Sequence, residues 1–175
     1  MSVETFTNIA AQGTMLDVRD ATRWYDEAND LAVRMTILGD LTFDQACCII
    51  ATFSIRQRWA KNVELAIRFA KGERDLPVMG SINRISENVV SFDDPYSALN
   101  GQKTNAFAHN IAGDVMAVTI DVWMLKAAGV DHTKSPNKTV YNQIANDLRD
   151  AARIYGTVPS IFQAYIWIII RGKSQ

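Results

Sequence analysis

Residues 96–124 read YSALNGQKTNAFAHNIAGDVMAVTIDVWM, and the order of parts in this stretch decides the fold class. A tight turn is expected at Asn100–Gly101, where glycine opens backbone geometry closed to other residues. A helix led by polar residues follows over about residues 102–112. A second turn at Gly113–Asp114 leads into the run Ala-Val-Thr-Ile at 117–120, then a single carboxylate, Asp121, then a helix that begins beside it. The 117–120 run has strand propensity. It has no obvious partner, so it reads as an extended lead-in to the helix.

Working outward, helical periodicity dominates. Over residues 18–38 apolar side chains recur three and four apart, at Ala21, Trp24, Tyr25, Ala28, Leu31, Ala32 and Met35. Gly39 stops that helix. Thr42, with Gln45 three residues on, forms a capping box for the next. Residues 46–53 are almost wholly apolar and predict a central buried helix. A third helix covers 57–71, with Trp59, Val63, Ala66, Ile67 and Ala70 inward. Pro77 opens a shorter piece through Val90, and Asp93–Asp94–Pro95 marks another start. Toward the C-terminus, 118–129 holds one helix. Ser135–Pro136 opens a long one to Tyr155, with Val140, Ile144, Leu148, Ala151, Ala152 and Tyr155 inward. Pro159 opens the last, to about Arg171. About nine helices in one all-α domain over residues 1–175 are expected, with 1–14 a flexible end.

Composition narrows the function classes. The chain has 175 residues, 48% apolar and 21% charged, with a formal net charge of −1. That is an ordinary globular balance, with no global basic field, so any contact with phosphates comes from a local patch. Cys47 and Cys48 are the only cysteines and are adjacent, which excludes a spaced metal site, a disulfide framework and an iron–sulfur cluster. They read as buried thiols of a reducing compartment. The N-terminal residues lack the basic start and apolar stretch of a signal peptide. The apolar run at 164–170 is too short to span a membrane. A cytoplasmic protein without membrane contact is expected. His109 and His132 lack metal-ligand spacing, so neither a metal nor another cofactor is expected.

The chemistry concentrates around the opening stretch. The first N–H groups of the helix after Gly101 can hold a phosphate, with Asn100, Gly101, Gln102 and Thr104 as the contacting positions. Lys103 sits in that first turn, where it can pair with phosphate or serve as an amine nucleophile. Asp121 interrupts an apolar run. It can cap the adjacent helix, act as a catalytic carboxylate, or do both. Arg56, Arg58 and Lys61 cluster beside Trp59. Arg58 and Lys61 read as a solvated face, Arg56 as a phosphate contact, and Trp59 as a wall or stacking platform. Asn62 lies three residues beyond Trp59 on the same helix, placed either to hydrogen-bond a pyrimidine edge or to tie down a loop. Trp123, Tyr165 and Trp167 read as core. Arg171 closes the last helix, where a cation is favourable, and is also a candidate phosphate contact.

These elements resemble a known family. The order of turn, Gly-x-Lys, helix and Val-Thr-Ile-Asp-Val-Trp-Met is similar to the signature of the helix-hairpin-helix/Gly-Pro-Asp DNA glycosylase superfamily, its 8-oxoguanine branch especially. Lys103 falls on that family's lysine position and Asp121 on its aspartate position. A second likeness covers nearly the whole chain. It looks like small bacteriophage proteins of this superfamily that share Ser-x-x-x-x-Trp-x-x-Asn, Gly-x-Lys, Val-Thr-Val-Asp-x-Trp and Trp-x-x-x-Arg-Gly elements. Here these are residues 54–62, 101–103, 118–123 and 167–172. Two positions depart from the wider pattern: the first glycine of the hairpin falls on Leu99, and Thr119 stands where proline is common.

The resemblance implies a bilobed helical fold with a central cleft, a duplex held by the hairpin and a base flipped into a pocket. The phage branch implies thymidine hypermodification, as in amino acid:DNA transferases or alpha-glutamyl-putrescinyl-thymidine pyrophosphorylase-like proteins. An amine or amino acid would replace the pyrophosphate on 5-hydroxymethyluracil in DNA, in the cytoplasm of the bacterial host. Asp121 would deprotonate the incoming ammonium, and Lys103 and Arg56 would offset the leaving charge. The alternative is base excision, with Lys103 attacking the sugar C1′ and Asp121 stabilising the cationic transition state. A non-catalytic DNA-binding module is a third reading. Oligomeric state is not legible.

Overall fold

The structure, a computed structural model, describes residues 2–172. Among them nine α-helices and one 3-10 turn form, and no strand. The described chain is thus all-α, and residues 117–120 belong to neither helix nor strand.

Two compact units divide the described chain. One takes the residues up to Tyr25 and from Asp114 onward, the other Asp26–Gly113. The division falls inside α2 (Met15–Leu38), which contributes to both.

The second unit is organised around α3 (Phe43–Phe53), against which α4 (Trp59–Ala70), α5 (Gly80–Ser91), the 3-10 turn at Pro95–Ala98 and α6 (Gln102–Ile111) all pack. Every residue of α3 from Ala46 to Phe53 is buried. Its start is the expected capping box: Thr42 Oγ1 accepts from Gln45 N, and Gln45 Oε1 accepts from Thr42 N. Gly39, just past α2, allows a close approach. A Cβ there would lie 1.8 Å from the Ala70 carbonyl oxygen, so no larger residue fits without moving backbone.

The first unit packs α1 (Val3–Ala10), α7 (Val122–Ala127), α8 (Lys138–Tyr155) and α9 (Pro159–Arg171) around Phe6, Met124, Ile144, Leu148 and Phe162. Part of the stretch expected as a flexible end is helical. Residues 3–10 form a helix capped by Ser2. Tertiary burial of Phe6 and Ala10 supplies what a helix this short lacks alone.

Three further expectations shift. The inward face of α4 is Asn62, Leu65, Ala66, Phe69 and Ala70, not the stripe through Trp59, Val63 and Ile67. The buried stripe takes in a polar residue that a hydrophobic pattern assigns outward. On α8 the buried face carries Tyr141 and Asp147, whereas Tyr155 is exposed. The helix expected from Pro77 begins at Gly80, after an irregular stretch.

Candidate functional site

In the first unit, chemistry centres on Asp121. The carboxylate caps α7: Oδ1 accepts from Trp123 N at 2.9 Å and from Met124 N at 3.0 Å. Capping and a chemical role are compatible, because Oδ2 points elsewhere and accepts from the indole Nε1 of Trp167 at 3.0 Å. A carboxylate offers about four lone-pair directions. These three donors occupy three, and among the described residues no fourth donor takes the remaining direction on Oδ2. Asp121 is half-buried.

The approach to Asp121 is held rigidly. The buried hydroxyl of Tyr141 donates to the Val118 carbonyl at 3.0 Å and accepts from Ile120 N at 3.2 Å. One side chain from α8 thus satisfies two backbone polar groups of a segment that no helix or sheet ladder serves. Burial pushes the Tyr141 phenol up to about 12. Nearby, the Tyr25 hydroxyl donates to Gln163 Oε1 at 2.8 Å and shares a hydrogen bond with Thr119. Burial pushes the Tyr25 phenol well up; the Thr119 bond opposes the rise and the Asp121 charge adds to it.

Two aromatic contacts complete this group. Trp24 and Trp167 lie with ring centroids 5.3 Å apart. The Arg171 guanidinium sits 4.5 Å over the Trp167 ring, a cation–π arrangement. Arg171, expected as a DNA contact, is therefore linked to Asp121 through Trp167. Trp167, expected as core, is a half-buried partner of the carboxylate. Its four-residue step to Arg171 was visible in the sequence, but its hydrogen bond to Asp121 was not. Tyr25, Gln163 and Tyr141 carried no signal as site residues.

The second unit holds the remaining expected positions. Gly101 is the N-cap of α6 with φ of 87°, a conformation that favours glycine. Among the described residues no side chain caps that helix, and helix starts of this kind are common anion sites. Asn100 and Gly101 are exposed, Gln102 is half-buried, Lys103 is exposed and Thr104 is buried. Arg56 is exposed in the turn after α3, Trp59 is half-buried at the first position of α4, and Asn62 is 1% exposed one turn further in. Lys61 pairs with Glu64 at 2.8 Å, consistent with a solvated face. Asp121 and Arg171 thus stand in one unit. Arg56, Trp59, Asn62, Asn100, Gly101, Gln102, Lys103 and Thr104 stand in the other.

Cys47 and Cys48 are fully buried on α3. Among the described residues no group of three or more His, Cys, Asp or Glu side chains is placed to hold a metal ion. No single helix among them is long and apolar enough to cross a membrane.

A family model described as a family of unknown function, DUF7178, matches residues 2–174. No curated protein and no solved structure matches the chain.

Proposed function

The chain belongs to the family of unknown function DUF7178, and from its own residues we propose that it is a DNA-base-modifying enzyme with a helix-hairpin-helix glycosylase-like fold. Its substrate would be a flipped thymine derivative, pyrophosphorylated 5-hydroxymethyluracil, in phage DNA in the host cytoplasm. The observation that carries the reading is the setting of Asp121. A carboxylate at the head of a helix, after a clamped segment, keeps one lone-pair direction that no donor among the described residues takes, while three donors fix its orientation. Such preorganisation suits proton transfer at a fixed point.

In the reaction, Asp121 takes a proton from the ammonium of an amine or amino acid such as glycine. The freed nitrogen attacks the exocyclic methylene carbon. A C–N bond forms, the C–O bond to pyrophosphate breaks, and pyrophosphate leaves with the electron pair. Lys103 and Arg56, in the other unit, are assigned to phosphate charge of the DNA. Lys103 lies exposed rather than enclosed in an apolar pocket. An enclosed setting is what favours a lysine nucleophile, so the transferase reading is preferred to excision.

The test is incubation of the protein with duplex DNA bearing 5-(pyrophosphoryloxymethyl)uracil and with glycine. One pyrophosphate released per modified base, with glycine joined to the DNA, is the expected result. Release of a free base, or a protein–DNA adduct trapped by borohydride, replaces the proposal with excision. Binding without either product replaces it with a DNA-binding module.

A further inference from the structure

The buried side-chain amide of Asn62 is unusual in this molecule. Among the described residues neither its Nδ2 nor its Oδ1 has a hydrogen-bond partner, although Asn62 is 1% exposed. An unpaired buried polar group is destabilising, and an amide left without both partners is doubly so. The residue also occupies an inward position of α4, among Leu65, Ala66 and Phe69. The arrangement is explained if the amide is kept for a ligand.

The first turn of α4 points to the same ligand from a different direction. Its N-cap is Arg58, which makes no side-chain cap, and no acidic residue stands in the first turn. The first N–H groups of a helix have no intrahelical acceptor, and here those of Ala60 and Lys61 carry the positive end of the helix dipole. Arg56 and Arg58 are both exposed beside this turn. No ion pair engages either one among the described residues. Helical side chains lean toward the helix N-terminus, which for Asn62 is the direction of the turn that carries Arg58 and Trp59.

We propose that the N-terminal turn of α4 is a nucleotide-binding site in which Ala60 N–H, Lys61 N–H, Arg56 and Arg58 take a phosphate and the Asn62 amide pairs with the imide edge of a uracil-type base. The donor and acceptor of the amide match the carbonyl and N3–H of the imide. The identity of the base rests on the function proposed above; the phosphate and the need for a paired donor and acceptor do not. Trp59, in the same turn, supplies an aromatic face beside the base.

Titration of the isotopically labelled full chain with deoxyuridine 5′-monophosphate, followed by NMR, tests the site. The nucleotide is expected to shift the Ala60 and Lys61 backbone amides and the Asn62 side-chain amide, and inorganic phosphate only the first two. N62L is expected to weaken nucleotide binding about tenfold, to leave phosphate binding unchanged and to raise Tm. A merely structural amide predicts a lower Tm instead. R56A/R58A weakens both ligands and keeps the fold measurable if N62L does not fold. Unmoved resonances at Ala60, Lys61 and Asn62, or nucleotide binding by N62L as tight as in the unsubstituted protein, overturn the proposal. Nucleotide binding without pyrophosphate release defeats the reaction and leaves this site standing; release with an unresponsive α4 does the reverse.

Discussion

Trp167 donates its indole N–H to Asp121 Oδ2 at 3.0 Å, across 46 positions of sequence. This bond ties the start of α7 to α9 and sets which way the carboxylate faces. A hydrogen bond to a charged group contributes about 1.5–3 kcal/mol. W167F removes the donor and keeps an aromatic face for Arg171. It is expected to lower stability by about 2 kcal/mol, which corresponds to roughly 4–8 °C in Tm for a chain of this size. Thermal unfolding of the two proteins checks this; an unchanged Tm contradicts it.

Tyr141 makes a second prediction. Y141F leaves the Val118 carbonyl and the Ile120 N–H buried and unpaired. Each orphan costs about 1–3 kcal/mol, so the variant should unfold at distinctly lower denaturant. The phenol also sets a pH signature. Its folded value, pushed up to about 12 by burial, lies above its ordinary value of 10.0. The native state therefore holds this proton more tightly. The stabilisation is complete below pH about 10 and is lost as pH rises toward about 12. Y141F should flatten the loss of stability across that window. An equal slope in both proteins contradicts the assignment.

The thiols give a third. Burial pushes Cys47 up to about 12, with the Asp44 charge adding to the rise, and both cysteines lie in the interior of α3. Thiolate is the reactive form. Neither cysteine should react with a thiol reagent in native buffer at pH 8, and both should react in denaturant. The same shift predicts a loss of stability as pH rises from about 9 to 12, because the unfolded chain releases these protons first. Rapid native labelling contradicts the burial.

The fold was legible where local chemistry and periodicity agreed. The Thr42–Gln45 capping box, the proline that opens α9 and the Asp121 cap followed from residue type and spacing. What failed depends on tertiary contact. Helix α1 forms because Phe6 and Ala10 meet a core built far along the chain. The face of α4 is displaced because Asn62 is inward, which hydropathy reads as outward. For the site, motif spacing marked Asp121 and the turn before Lys103. Trp167, Tyr141 and Tyr25 reach the Asp121 region from distant segments, through bonds that no periodicity encodes.

The most direct measurement compares D121N with the unsubstituted protein in single-turnover release of pyrophosphate from the modified duplex. Asparagine caps helices as well as aspartate does, so the variant should fold, with a lower Tm from the lost Trp167 bond. It cannot accept the proton, and release should fall at least ~100-fold. Equal rates from the two proteins, or no release from either, contradict the account.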